Sequence, residues 1–189
     1  MDKVLIVSGS TTAAKSLSDL LGTTSKQNVT VSTNSGEARR ILSSKEFDMI
    51  IINSPLTDDL GSDLAVFASE STLAGIMFIV KADIYRMVAA RLEDYGIMVI
   101  EKPLNRNLFS QSLRLVKATQ NRMRSFRQEN VKLKSQIAEM RLTDRAKAVL
   151  MNYLKLSEPQ AHRFIVKQAM DMRMTKMEVA QNILKTYDK

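Results

Sequence analysis

The chain has 189 residues, with 28 Lys/Arg against 20 Asp/Glu, a single His, no Cys and no Trp. That composition excludes disulfides and thiolate metal sites, argues against a His-based metal centre or triad, and fits a reducing cytosol. No apolar run approaches the length of a membrane span, and the apolar core of MDKVLIVSGS is too short for a signal peptide, so a cytoplasmic protein with no membrane partner is expected.

The first 110 residues alternate short apolar runs with amphipathic stretches. VLIV (4–7) reads as a strand, followed by a helix carrying Ala14, Leu17, Leu20 and Leu21 at spacings of three and four. VTVST (29–33) is a β-branched strand, and GEARRILSSKEF a short helix. MIII (49–52) is the strongest strand signal. A helix over 62–72, a strand GIMFIV (75–80), a helix over 83–94 and a strand GIMVI (96–100) follow, and another helix begins near 105. Strands that are apolar without alternation imply a parallel sheet covered on both faces. The expected fold is therefore a doubly wound α/β domain with a five-stranded parallel sheet. SGSTTAAK, after the first strand, matches neither a dinucleotide fingerprint nor a P-loop and reads as a capped helix start.

The order and spacing of these elements resemble a response-regulator receiver domain of a two-component system. Gly61 lies eight residues after Asn53, and Lys102-Pro103 follows the fifth strand, as in that family. The chemical markers differ. Ser8, Gly9 and Ser10 stand where the family has its acidic pair, Asn53 replaces the phosphoaccepting Asp, Lys81 takes a Thr/Ser position, and Val99 an aromatic one. Phosphoryl transfer to a carboxylate needs an anionic nucleophile and a divalent cation. A neutral amide without clustered carboxylates offers neither. The resemblance implies a pseudo-receiver with a degenerate site, no metal, no cofactor and no catalytic residue. Asn53 is expected to hydrogen-bond Lys81 or Lys102. Control would then come from a protein or small-ligand regulator of this domain.

From Val116 onward, Val116, Thr119, Met123, Phe126, Asn130, Leu133, Ile137 and Met140 recur at alternating steps of three and four. That is a heptad seam, which predicts a coiled coil and a homodimer. Asn130 falls at an a position, where a buried Asn fixes register. The helix from 111 to 141 would span about 46 Å.

The last 47 residues read as three helices. The first carries Ala146, Val149, Leu150, Tyr153 and Leu154 on one face. Ser157 to Gln160 forms a capping box for the second, which buries Ala161, Phe164, Ile165, Ala169 and Met172. Thr175 to Glu178 forms another box, with Met174 and Val179 as a staple, for a third helix burying Val179, Ala180, Ile183 and Leu184. His162 is read as a helix-surface residue and Tyr153 as a core residue. Charge divides sharply along the chain. Residues 1–110 hold 11 Lys/Arg and 13 Asp/Glu, whereas residues 111–189 hold 17 Lys/Arg and 7 Asp/Glu. A net +10 confined to one end points to a polyanion partner.

The stretch RAKAVLMNYLKLSEPQAHRFIVKQAMDMRMTKMEVAQNIL (145–184) resembles the ANTAR domain through its Ala-Lys, Leu-Met, Leu-Ser turn, Ala-Met and Val-Ala elements. Ala148 stands where Gly is common and His162 where an aromatic is common. The chain thus divides into a pseudo-receiver at 1–110, a coiled-coil helix at 111–142 and a small three-helix bundle at 143–189. The resemblance implies a transcription antiterminator that binds paired RNA stem-loops in mRNA leaders and prevents terminator formation, without enzymatic activity. The expected phosphate contacts are Arg141, Arg145, Lys147, Arg163, Lys167, Arg173 and Lys176. Two other readings use the same residues: a DNA-binding response regulator, or a dimer that serves as a protein-interaction module.

Overall fold

The structure is a computed structural model that describes residues 3–22 and 28–187. It divides into two compact units, Met1–Arg124 and Ser125–Lys189. In the first unit the elements run β1 (Val4–Ser8), α1 (Thr11–Leu20), β2 (Val29–Ser32), α2 (Ser35–Ser44), β3 (Met49–Asn53), α3 (Ser62–Ser71), β4 (Gly75–Lys81), α4 (Tyr85–Leu92) and β5 (Met98–Lys102). The five strands form one parallel sheet in the order β2-β1-β3-β4-β5. Side chains alternate across a strand, so a sheet covered on both faces needs apolar residues at every position. Leu5, Ile50, Ile52 and Phe78 join one core with Leu64 and Leu92, whereas Ile6, Met49, Ile51 and Met77 join the other with Leu17 and Phe109. Several boundaries differ from the sequence expectation, and the helix expected to run to Phe47 ends at Ser44. The helix expected over 83–94 is α-helical only from Tyr85 to Leu92, between single 3-10 turns at Ala82–Ile84 and Glu93–Tyr95. The last strand starts two residues late, after Gly96, whose φ of +69° closes the preceding turn.

Helix α5 is continuous from Arg106 to Leu154 and passes through the expected boundaries near 110 and 142. Its first turn is capped by Asn105, whose Oδ1 accepts from the Leu108 N–H at 2.7 Å. Within the first unit, Phe109 is fully buried and Val116 is 8% exposed, both packed on the Met49 and Met77 face of the sheet. Gln120 Nε2 donates to the Leu73 carbonyl at 3.2 Å, and Arg124 donates to Asp48 at 2.6 Å. Val116 therefore belongs to the chain's own core. The heptad spacing placed it in an intermolecular seam, but the sheet claims it first. Gly75, at the start of β4, makes the close approach necessary: a Cβ there would lie 2.5 Å from Val116 Cγ1.

The second unit holds the rest of α5, α6 (Glu158–Met172) and α7 (Lys176–Tyr187). Its core is Ala146, Leu150, Ala161, Ile165, Ala169, Val179, Ala180 and Ile183. Gln160 Oε1 accepts from the Ser157 N–H at 2.8 Å, and Glu178 accepts from the Thr175 N–H at 2.7 Å while its own N–H donates to Thr175 Oγ1. Met174 packs on the cluster that contains Val179, as a staple should. Three expected core residues are exposed instead: Tyr153, Phe164 and Met172. Tyr153 lies in the last turn of α5, at the edge of the bundle, where its ring rests on Tyr187 with centroids 5.8 Å apart.

Gly75→Ala should destabilise the first unit by roughly 1–3 kcal/mol through overpacking against Val116. Adding Val116→Ala should recover part of that loss, and urea unfolding of the four-member mutant cycle reads the coupling. Strict additivity would show that the two residues do not meet.

Candidate functional site

Two regions carry the residues singled out by sequence. The first is the carboxyl end of the parallel sheet, where ligands bind in folds of this kind. Strand register sets Ser8 beside Asn53, and Lys81 beside Lys102. Asn53 Nδ2 donates to Ser8 Oγ at 3.0 Å, and Ser8 Oγ donates onward to the Ser10 carbonyl at 3.1 Å. Lys102 Nζ donates to the Ser54 carbonyl at 2.6 Å. The expected Asn53–lysine hydrogen bond is therefore not the one that forms. Asn53 turns to β1, because the fully buried Ser8 hydroxyl there needs partners more than an exposed ammonium does. Ser10 caps α1 by accepting from the Ala13 N–H, and Gly9 lies against the Pro55 carbonyl, where a Cβ would stand 3.0 Å away.

Two carboxylates near this end escaped the sequence reading, and both are engaged elsewhere. Asp58 accepts from the backbone N–H groups of Ser35 and Gly36, at 2.9 and 3.2 Å, at the start of α2. Those hydrogen bonds, led by the one from Ser35, hold its carboxyl below the ordinary range. Asp59 accepts from Ser35 Oγ and from the Gly61 N–H. A helix N-terminus attracts anions, so the loop acids serve α2. Among the described residues no cluster of His, Cys, Asp or Glu could hold a metal ion. Burial first, and then the neighbouring Lys81 charge, hold the Lys102 amine below the usual lysine range.

The second region is the cationic surface of α5, α6 and α7. Arg141, Arg145, Arg163, Lys167, Arg173 and Lys176 are all exposed. Arg163 and Lys167 sit one turn apart on α6, in a shallow groove with His162, Val166 and Met170. Arg173 caps the end of α6 with a φ of +52°. Lys147 differs from the others. Its side chain is 17% exposed and bonded to Asp144 at 2.8 Å and Glu158 at 3.0 Å. Those two carboxylates, Asp144 first, raise its pKa and neutralise its charge locally. The remaining seam positions, Thr119, Met123, Phe126, Asn130, Leu133, Ile137 and Met140, are all exposed along α5. Asn130 Nδ2 donates to the Phe126 carbonyl of its own helix at 3.2 Å.

Residues 131–184 match the family model described as ANTAR domain. The fold of the first unit is similar to three solved structures. One is the signal receiver domain of an HD domain-containing protein from Pseudomonas fluorescens Pf-5, at 18% identity and TM-score 0.58, covering 66% of this chain and 92% of that one. Another is a two-component response regulator from Clostridium difficile, at 19% identity and TM-score 0.53, covering 61% and 95%. The third is a response regulator receiver domain protein from Methanospirillum hungatei JF-1, at 17% identity and TM-score 0.55, covering 65% and 98%. The comparison with curated proteins finds no match.

The chain carries an ANTAR domain over residues 131–184. A receiver fold stands first, and an ANTAR domain ends it. All seven cations singled out by sequence lie inside the ANTAR match. No described helix is long and apolar enough to cross a membrane.

The receiver tip gives a pH-dependent expectation. A lysine held below its ordinary pKa is a cost to the folded state while charged, and that cost fades as pH rises through the folded pKa toward the unfolded one. Lys81→Gln removes the like charge. It should raise the Lys102 pKa and stabilise the domain near neutral pH, with the gain shrinking as pH climbs into the lysine range. NMR titration of the Lys102 side chain reads the shift, and an unchanged or lowered pKa would show that the two ammonium groups do not interact.

Proposed function

We propose that this protein is a dimeric antitermination regulator. It binds paired stem-loops in nascent mRNA leaders and keeps the terminator from forming. The observation that carries the reading is the ANTAR match over residues 131–184, in a stretch (111–189) with a net charge of +10. An ANTAR domain joined to a receiver suggests an RNA-binding antitermination regulator, a family that is typically non-enzymatic. The finer reading assigns 1–110 to a pseudo-receiver, 111–142 to the dimer helix and 143–189 to the RNA-binding bundle, in the cytoplasm.

RNA phosphates are met by exposed cations, and sequence is read from unpaired loop bases. Arg163 and Lys167 fit that task best, because they project side by side from α6 and neither belongs to the core. Arg141, Arg145, Arg173 and Lys176 extend the surface. Lys147 is the weakest of the seven, since Asp144 and Glu158 already balance it. Replacing Arg163 and Lys167 together by Ala should weaken stem-loop binding and flatten the slope of log K against log salt by up to ~2. Circular dichroism should show the helices intact. Competition with duplex DNA of equal length completes the assay. Equal displacement by DNA would favour a DNA-binding regulator, and an unchanged affinity would remove α6 from the interface.

In this reading the receiver is not a phosphorylation switch. Asn53 lacks the anionic oxygen, and its amide is spent on Ser8. Incubation with acetyl phosphate and Mg²⁺ should leave no acid-labile phosphate on the chain and no change in RNA affinity. Stoichiometric phosphate, read by intact mass, would overturn the pseudo-receiver assignment. A protein or small-ligand partner of the receiver then supplies the input.

A further inference from the structure

Four strands of the sheet end in a polar residue, and the four share a face. Ser8, Asn53, Lys81 and Lys102 are the last residues of β1, β3, β4 and β5. Each stands two residues beyond an isoleucine of the core that holds Leu17 and Phe109, namely Ile6, Ile51, Ile79 and Ile100. Residues two apart along a strand point to the same side, so all four project from the face that α1 and α5 cover. Ser8 and Asn53 close β1 and β3, where the strand order reverses, and open parallel sheets bind ligands outside that point. Asn53 is level with Ile79, so the Lys81–Lys102 pair stands one pleat further out. Burial falls in the same direction: Ser8 is buried, Asn53 and Lys102 are half-buried, and Lys81 is exposed.

This row carries a pair of ammonium groups and no carboxylate. Glu101 precedes Lys102 and alternates to the opposite face. Asp58 and Asp59 are held at the first turn of α2. An ammonium has several N–H donors, yet among the described residues Lys102 Nζ meets one acceptor, the neutral Ser54 carbonyl. Lys81 makes no hydrogen bond or ion pair among the described residues. Arg91, Arg124 and Lys147 are each matched to a carboxylate instead. The lysine pair is thus an uncompensated charge on a half-buried ledge, and burial and the Lys81 charge together disfavour the ionised Lys102. An anion between the two would oppose both effects.

We propose that the carboxyl end of the sheet binds a small phosphate-bearing anion, held reversibly between Lys81 and Lys102 over the Asn53 amide. The inference rests on the reading that this receiver is not phosphorylated, and it names the ligand class that such a domain takes. A phosphate group carries about 1.5 to 2 negative charges at pH 7, which two ammonium groups match. A neutral residue at position 53 is then an asset, because a carboxylate there would repel the ligand. Free phosphate and a phosphomonoester share this chemistry.

The test is NMR of the lysine side chains in the full chain, titrated with inorganic phosphate against NaCl of equal ionic strength. The Lys81 and Lys102 signals should shift saturably, and the Lys102 pKa should rise with phosphate bound. Lys81→Gln, at an exposed position outside both cores, should weaken binding at least about tenfold, as the loss of a charged hydrogen bond does. Asn53→Asp should weaken it too, by repulsion, whereas Arg163→Ala with Lys167→Ala should leave these signals unchanged. Glycerol 3-phosphate forms a parallel arm: tighter binding than phosphate assigns the site to a phosphomonoester, and equal or weaker binding assigns it to free phosphate. A response no greater than that to NaCl, or one that Lys81→Gln leaves intact, overturns the site. So does a shift of the same signals by stem-loop RNA but not by phosphate, which would give the ledge to nucleic acid. Incubation with acetyl phosphate and Mg²⁺ keeps the two readings apart. Covalent phosphate on the chain sinks the unphosphorylated receiver, whereas its absence alongside a silent titration sinks the anion site alone.

Discussion

Val116 sits where β4 has no side chain. Gly75 opens that strand, and the valine methyl occupies the volume that a Cβ would fill. This contact decides the rotation of α5 on the sheet, and the rotation decides what every other residue from 106 to 124 does. Burying a Val or Phe side chain stabilises by about 1.5–3 kcal/mol, whereas a partly exposed pair such as Arg124–Asp48 contributes at most about 1 kcal/mol. Packing therefore sets the phase of the helix, and the polar contacts of Gln120 and Arg124 follow it. Once Val116 and Phe109 are inward, Leu115, about 100° around the helix from Val116, faces out.

The tip of the sheet shows how a receiver fold accommodates Ser8, Gly9, Ser10 and Asn53. Nothing in the hydrophobic core depends on an acidic cluster. With Ser8, Gly9 and Ser10 in its place, the β3 tip loses its anionic character, and Asn53 makes an ordinary amide bond to a buried hydroxyl. Two lysines are left side by side, and after burial the Lys81 charge further lowers Lys102's preference for charge. The carboxylates that remain nearby, Asp58 and Asp59, are drawn to the first turn of α2, whose unpaired N–H groups are a better partner than an open loop.

Much of this was legible in the chain itself. The five strands announced themselves as short apolar runs, and both capping boxes of the last two helices form as their spacing requires. What the sequence hid was adjacency. That Ser8 faces Asn53, and Lys81 faces Lys102, follows from strand order and register, which no local pattern encodes. Val116 was misplaced for a related reason. A heptad is a pattern of 3.5 residues per turn and a straight helix has 3.6, so over several turns the two templates select neighbouring residues. Only the sheet's demand for Val116 separates them. Tyr153 and Phe164 were misread because helical periodicity marks a face but not where the partner helix stops. Lys147 looked like its fellow cations because only one of its two carboxylates, Asp144, is near it in sequence, and Glu158 is eleven residues away on another helix.

The ANTAR bundle has a thin core. Half of its fully or nearly buried apolar residues are alanines, namely Ala146, Ala161, Ala169 and Ala180. Small side chains let the helix backbones approach closely but remove little apolar surface from water, at roughly 25 cal/mol per Å². Meanwhile Met151, Phe164, Met170 and Met172 stay exposed, together with Leu133, Ile137 and Met140 on the helix that leads in. Domains of this size bury the smallest fraction of their surface and commonly draw stability from association. Within one chain the α5 stripe adds no burial to this core, so the placement of Arg163 and Lys167 on α6 rests on the few larger side chains of the cluster, Leu150, Ile165, Val179 and Ile183.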